Sequence, residues 1–481
     1  MSDSTQPKTP HTTARYFLEG LQETGIHYLF SNLGTDHVTL IDEMARLQAE
    51  GQAMPEVVLC PHENVAIHMA GGYAAVTGQG QGVMVHVDAG TANAAMGMHN
   101  LMRARLPVLL MAGKAPYALH GEVPGARDNY VHYVQDPFDI ASLVRPYVKW
   151  DYNLPSGVVA KEVVRRAHSV MHTEPAGPVY MTLPRETLAE SWPREQVKSY
   201  PAARYGAVRM GALPFEATLQ IARELMAAEN PLVITSYLGR KPEAVQALEA
   251  LAELCGIRVV EFSPTWLCIS RESPCFFGFD ATPLLPDTDW GLLLDIDVPW
   301  LPHQTRPRED TRWVHIDVDP IKKDFPAWGF ATDVRWPADC AQALRDLHQA
   351  VLSLADDRIS GLEALVRWRH PQRGMVSPGE FIPLAEQTGL ILPLGQQVLR
   401  MACTQLAHWH QQPATRFWTV AVNVSAQEFR DPDFVAQVWQ ALKETGAPPQ
   451  QLKIELTESL LLHDVEDSIA KMQSLRQRGV G

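Results

Sequence analysis

The sequence predicts an α/β protein: two doubly wound parallel-sheet domains followed by a partial (β/α) barrel. Three observations set these divisions. Up to about residue 350, short apolar strands alternate with helices, the pattern of parallel sheets covered on both faces. The stretch Pro193 to Pro214 interrupts that alternation and divides it in two. Near Val351 the motif content changes altogether. The expected domains are 1–190, 200–350 and 353–481.

In the first domain, Ala14 to Thr24 reads as an amphipathic helix with Phe17, Leu18 and Leu21 on one face. His27 to Ser31 reads as a strand ending in the turn Asn32-Leu33-Gly34, and Val38 to Gln48 as a helix. Glu56 to Leu59 is a strand, Ala66 to Val76 a helix of small residues, Gly82 to Val87 a strand, Ala92 to Arg103 a helix and Pro107 to Ala112 a buried strand. The second domain repeats this style with helices Phe215 to Ala228 and Pro242 to Cys255. Its strands are Pro231 to Thr235, Arg258 to Val260, Trp290 to Asp295 and Trp313 to Asp317.

A length of 481 residues corresponds to about three domains. The hydrophobic fraction of 46% and charged fraction of 20% exclude a disordered chain. A net charge of −14 argues against a general nucleic-acid partner, since phosphate binding is driven by Lys and Arg. None of the cysteines, Cys60, Cys255, Cys268, Cys275, Cys340 and Cys403, forms a C-x-x-C pair, so buried thiols are expected in place of a zinc or redox motif. Met1 to Thr13 lacks a signal-peptide core, and no apolar run is long enough for a membrane span, so a cytoplasmic protein without a membrane partner is expected.

Pro61-His62-Glu63-Asn64, followed by Ala70-Gly71-Gly72-Tyr73-Ala74, places a carboxylate between a strand and a small-residue helix. In isolation Glu63 reads as a helix-N-terminal acid favoured by the macrodipole. A zinc protease is set aside, because His68 lies six positions after His62 and a metal-binding helix needs four. Gly78-Gln79-Gly80-Gln81-Gly82 precedes a strand, so no helix N-terminus stands ready for a dinucleotide pyrophosphate.

Glu63 gains weight from the ordered landmarks around it: His86-Val87-Asp88-Ala89-Gly90-Thr91-Ala92-Asn93, Leu106 to Gly113, Tyr133-Val134-Gln135-Asp136, Glu174 to Tyr180 and Leu183-Pro184. Across roughly residues 14 to 190 this series resembles the pyrimidine-binding domain of thiamine-diphosphate enzymes of the acetolactate synthase and benzoylformate decarboxylase group. Val314 to Pro320 extends the resemblance to the family's central domain, which in some relatives holds a flavin or nucleotide; no Gly-rich phosphate loop is found here.

The resemblance implies a thiamine-diphosphate-dependent 2-oxo acid decarboxylase or carboligase, acetolactate synthase-like. The Glu63 carboxyl, buried and raised in pKa, would hydrogen-bond the aminopyrimidine ring. Gly34 and Thr35 match the turn over the thiazolium. Gly90 and Asn93 match a Gly-Pro-Gly-x-x-Asn turn whose proline is missing here. His86 matches an active-site histidine and reads equally as a proton shuttle or a satisfied core histidine; Gln135 matches a glutamine near the cofactor. The family's Gly-Asp-Gly segment, which binds the Mg²⁺ that grips the diphosphate, is absent from this sequence. The resemblance therefore implies a homo-oligomer, dimer or tetramer, that is inactive alone, with a separate subunit supplying the diphosphate-binding domain.

Glu363-Ala364-Leu365-Val366-Arg367-Trp368, Pro378 to Leu394, Val422-Asn423-Val424-Ser425 and Glu455-Leu456-Thr457-Glu458-Ser459 follow in order. They resemble the domain named for its Glu-Ala-Leu motif, an α/β barrel that hydrolyses cyclic di-GMP. That resemblance makes Glu363, Asn423 and Glu455 metal ligands suited to Mg²⁺ or Mn²⁺, and Arg367 a phosphate contact. The sequence has no first-strand Gln-Pro segment before Leu354 and stops at Gly481 before the expected Asp-Asp-Phe-Gly strand, without a closing helix. A truncated barrel without phosphodiesterase activity is therefore expected. The alternative readings are a signalling fusion that senses cyclic di-GMP and a gene-fusion product with no function as a unit.

Overall fold

Strands in the interior of a parallel sheet are covered by helices on both faces and so carry apolar residues throughout. Gln81–Val85 and Val179–Pro184 are buried along their whole length, and Val108–Lys114 up to its last residue. The computed structural model describes residues 10–135, 137–355, 361–412, 415–456 and 465–481. Among these, the chain divides into two compact units, Met1–Gln349 and Ala350–Gly481.

The first sheet consists of β1 (Tyr28–Ser31), β2 (Glu56–Leu59), β3 (Gln81–Val85), β4 (Val108–Lys114), β5 (Asp151–Asn153) and β6 (Val179–Pro184). Its order is β2-β1-β3-β4-β6-β5, all parallel. The order reverses between β1 and β3, and the carboxyl ends of those strands frame the crevice where such sheets take ligands. Helix Glu63–Thr77 begins three residues before the expected Ala66, because the His62 side chain caps it by accepting from Asn64 N–H. Helix Val87–Arg103 begins five residues before the expected Ala92. Gly90 to Asn93 are thus helical instead of forming a turn. The helix accommodates Gly90 because that position lies against β3, where an added Cβ would stand 3.0 Å from Val85 Cβ.

The second sheet contains β7 (Leu232–Thr235), β8 (Arg258–Glu261), β9 (Trp290–Leu294), β10 (Arg312–Asp317) and β11 (Val334–Pro337). They run parallel in the order β8-β7-β9-β10-β11. Arg105, beyond the helix Val87–Arg103, reaches from the first domain into this second one. Its side chain is 6% exposed; it pairs with Asp295, with Asp297 at 2.8 Å and with Asp317 at 3.5 Å. Arg240 adds a second bridge, to Glu174 at 2.9 Å and to Asp295 at 3.1 Å.

The second unit contains β12 (Gly361–Ala364), β13 (Thr419–Val424) and β14 (Leu452–Leu456), a parallel sheet in that order. Helices Ile391–His410 and Phe434–Thr445 pack with it around Cys403, Leu406, Val422, Val438, Leu442 and Leu452. The three strands form an open α/β layer. A helix, Val465–Gln477, does precede the last residues, contrary to expectation, and Gly481 N–H donates to the Leu452 carbonyl along the edge of β14. All six cysteines are free, and five are buried, as expected. Among the described residues no helix is long and apolar enough to cross a membrane.

The helices Glu63–Thr77 and Val87–Arg103 approach closely at Gly97, where an added Cβ would fall 2.0 Å from Ile67 Cγ2. Gly97→Ala is therefore expected to destabilise the first unit by about 1–3 kcal/mol through overpacking. Urea unfolding followed by tryptophan fluorescence measures this directly.

Candidate active site at the reversal of the first sheet

Three segments converge at the carboxyl ends of β2, β1 and β3: His62-Glu63, Gly34 to His37, and His86-Val87. Glu63, the first residue of its helix, is 9% exposed. Asn93 Nδ2 donates to its Oε2 at 3.0 Å; among the described residues Oε1 has no hydrogen-bond partner. Glu63 thus offers one carboxylate oxygen to a ligand while the other is held.

His86 Nδ1 hydrogen-bonds Asp36 Oδ1, and the Gln135 side chain acts in the same direction on the imidazole, raising its pKa. Asp36 is 1% exposed, and its Oδ2 accepts from Val87 N–H at 3.4 Å. Two glycines make room for the pair. An added Cβ at Gly34 would stand 2.3 Å from His86 Nδ1, and one at Gly113, in β4, would stand 1.4 Å from Asp36 Oδ2. His37 is fully buried; its Nδ1 accepts from Gly34 N–H at 3.1 Å and lies 3.3 Å from Asp36.

The hydrogen bond to Asp36 raises the pKa of His86 above its ordinary value, against the opposing effect of burial. Burial alone would raise the Asp36 carboxyl; the His86 hydrogen bond and the charge of the His86 imidazolium instead hold it below the usual range. Burial lowers His37, keeping it neutral and able to accept through Nδ1. Val87, next to His86, has φ +29°, an unusual conformation for a β-branched residue.

The structure therefore brings together the predicted residues in two groups: Glu63 with Asn93, and His86 with Gln135 and Gly34. Thr35 is exposed on the turn Thr35–His37, and Gly90 packs against β3. Asp136 lies outside the described residues. Asp36, His37 and Gly113 were not anticipated. The available signal was Gly113, a glycine in an otherwise apolar strand, which marks close approach of another group.

In the second unit, register places Asn423 beside Glu455, and Glu363 beside Ala421, two residues before Asn423. Side chains alternate along a strand, so Glu363, Asn423 and Glu455 share one face of the sheet. Asn423 Nδ2 donates to Glu363 Oε1, and all three residues are exposed. Arg367 is exposed at the rim of a cavity of about 610 Å³ that Glu363 also lines. Thr457, Glu458 and Ser459 lie outside the described residues.

Two separate segments of the chain match two different family models. Residues 11–143 match the family model of the thiamine pyrophosphate enzyme N-terminal TPP binding domain. Residues 342–481 match that of the EAL domain. A thiamine diphosphate-dependent 4-hydroxybenzoylformate decarboxylase from Rhodococcus jostii is similar at TM-score 0.58 and 18% identity, covering 93% of this chain and 86% of that one. A benzoylformate decarboxylase from Polynucleobacter necessarius is similar at TM-score 0.59 and 16% identity, covering 93% and 85%. At such identities the likeness is one of fold. A cyclic di-GMP phosphodiesterase of Pseudomonas aeruginosa is 32% identical over 241 residues, 49% of this chain and 40% of its own length. A Sinorhizobium fredii protein is 41% identical over 133 residues, only 16% of its own length, so the chain spans a minor part of these relatives.

The Asp36–His86 pair has a defined pH window. The stabilisation from His86, whose folded pKa is raised, is complete below about pH 6.5 and is lost as pH rises through the folded value. That from Asp36, whose folded pKa is lowered, is present above about pH 4 and is lost as pH falls through the folded value. Asp36→Asn is expected to lower the His86 pKa and to erase this contribution between the two limits. Imidazole NMR titration with thermal unfolding from pH 4 to 8 tests it.

Proposed function

We propose that the first unit is the pyrimidine-side half of a thiamine-diphosphate-dependent 2-oxo acid decarboxylase or carboligase. The observation that carries this reading is Glu63: buried, fixed through one oxygen by Asn93 and free to meet a ligand through the other. That arrangement fits an aminopyrimidine ring nitrogen. Glu63 would hold the ring, and the turn at Gly34 and Thr35 would border the rest of the cofactor. When bound, thiamine diphosphate supplies the carbon nucleophile and electron sink of the reaction. His86, held in one orientation by Asp36, carries protons to and from a 2-oxo acid at the crevice. Residues for the diphosphate and its Mg²⁺ would come from another chain carrying a Gly-Asp-Gly segment. A second copy of this chain would cover the exposed apolar face of Val65, Met69, Val76 and Met96.

The test is calorimetric titration of the full chain with thiamine, whose aminopyrimidine is the part this chain would hold, comparing wild type with Glu63→Gln. Loss of a charged hydrogen bond should weaken binding about tenfold or more. Equal affinities would remove Glu63 from the site.

The common face of Glu363, Asn423 and Glu455 favours a second reading, in which the second unit holds Mg²⁺ or Mn²⁺ at a cyclic di-GMP-related site with Arg367 facing a phosphate. Mn²⁺ binding followed by electron paramagnetic resonance should weaken in both Glu363→Gln and Glu455→Gln. Unchanged binding in both would sink that reading.

A further inference from the structure

Open parallel sheets bind ligands outside the carboxyl ends of their strands, where the strand order reverses. In the second sheet that place lies between β7 and β9. Its walls are Tyr237, just after β7; Asp295 and Asp297, just after β9; and Asp317, the last residue of β10. A guanidinium already occupies it. Arg105 contacts all three carboxylates and lies over the Tyr237 ring, 4.4 Å from its centroid. The Tyr237 hydroxyl donates to Asp297 at 3.0 Å, which fixes the ring beneath the cation.

We propose that Arg105 is an internal ligand of the second domain: the crevice is a guanidinium site, and by filling it the first domain latches itself to the second. The charges around it are arranged for a cation. Lys322 neutralises Asp317 at 2.7 Å and Asp297 at 3.0 Å, and Arg240 shares Asp295. A phosphate entering here would meet three carboxylates and an occupied crevice, so this domain holds no nucleotide at its strand reversal. The planar fork of Arg is what the geometry uses, since one ammonium cannot reach three carboxylates and stack on a ring at once.

The latch is tested on the full chain with Arg105→Ala, Arg105→Lys and the milder rim variant Asp297→Asn, using ethylguanidinium chloride as probe and equal sodium chloride as control. Two quantities are measured: heat of ethylguanidinium binding and the rate of limited proteolysis within the largely exposed segment Pro193 to Pro214. Arg105→Ala should be cut several-fold faster than wild type. It should bind ethylguanidinium at millimolar concentration, which wild type should not, and binding should slow the cutting. Arg105→Lys should be cut faster than wild type. If Arg105→Ala does not fold, Asp297→Asn decides, with faster cutting expected. Wild-type cutting rates in both Arg105→Ala and Asp297→Asn, or protection of Arg105→Ala by sodium chloride as strong as by ethylguanidinium, would overturn the latch.

Discussion

A guanidinium buried among three carboxylates links the two sheets of the first unit. Taking such charges out of water costs several kcal/mol per ion, and only close pairing returns it. Arg105, Arg240 and Lys322 supply that pairing, and Arg105 does so from a backbone with φ +55°, a conformation that L-residues rarely adopt. Removing one member of such a buried group typically costs about 3–5 kcal/mol, because the rest are left unpaired. The network thereby ties residues beside the first sheet to the carboxyl ends of the second. It also anchors the far end of the helix whose first turns carry Asn93 and adjoin His86.

The candidate site depends on the same economy of space. Asp36 can reach His86 only because Gly113 and Gly34 have no side chains where the carboxylate and imidazole lie. The buried carboxylate orients the imidazole, and the neutral His37 closes the turn by accepting from Gly34. Glu63 is held in parallel by Asn93 from the helix that starts beside His86. A carboxylate and an imidazole are thus fixed from one helix and one turn.

Strands and helices were legible because their apolar periodicity is local: Pro242–Cys255 and Glu56–Leu59 fall where the pattern puts them. The start of helix Val87–Arg103 was not, because Gly90-Thr91-Ala92 reads as a turn until packing against Val85 is known. Glu63, His86, Gln135 and Asn93 were legible as an ordered set. Asp36 was not, since nothing local says that it meets an imidazole 50 residues away. Arg105 was equally silent, a lone arginine after a helix whose three partners lie some 190 or more residues further along the chain. In the second unit strand register did the reverse: Glu363, Asn423 and Glu455 were widely separated candidates, and parallel pairing puts them on one face.

Val87 introduces a tension between durability and precision. A β-branched residue at φ +29° stores torsional energy, of the order of 1–2 kcal/mol, that glycine would release. A sequence selected for robustness alone would therefore drift toward glycine there. The relaxed hinge would let the adjoining imidazole wander from its carboxylate, so valine at this position exchanges thermal margin for a fixed imidazole.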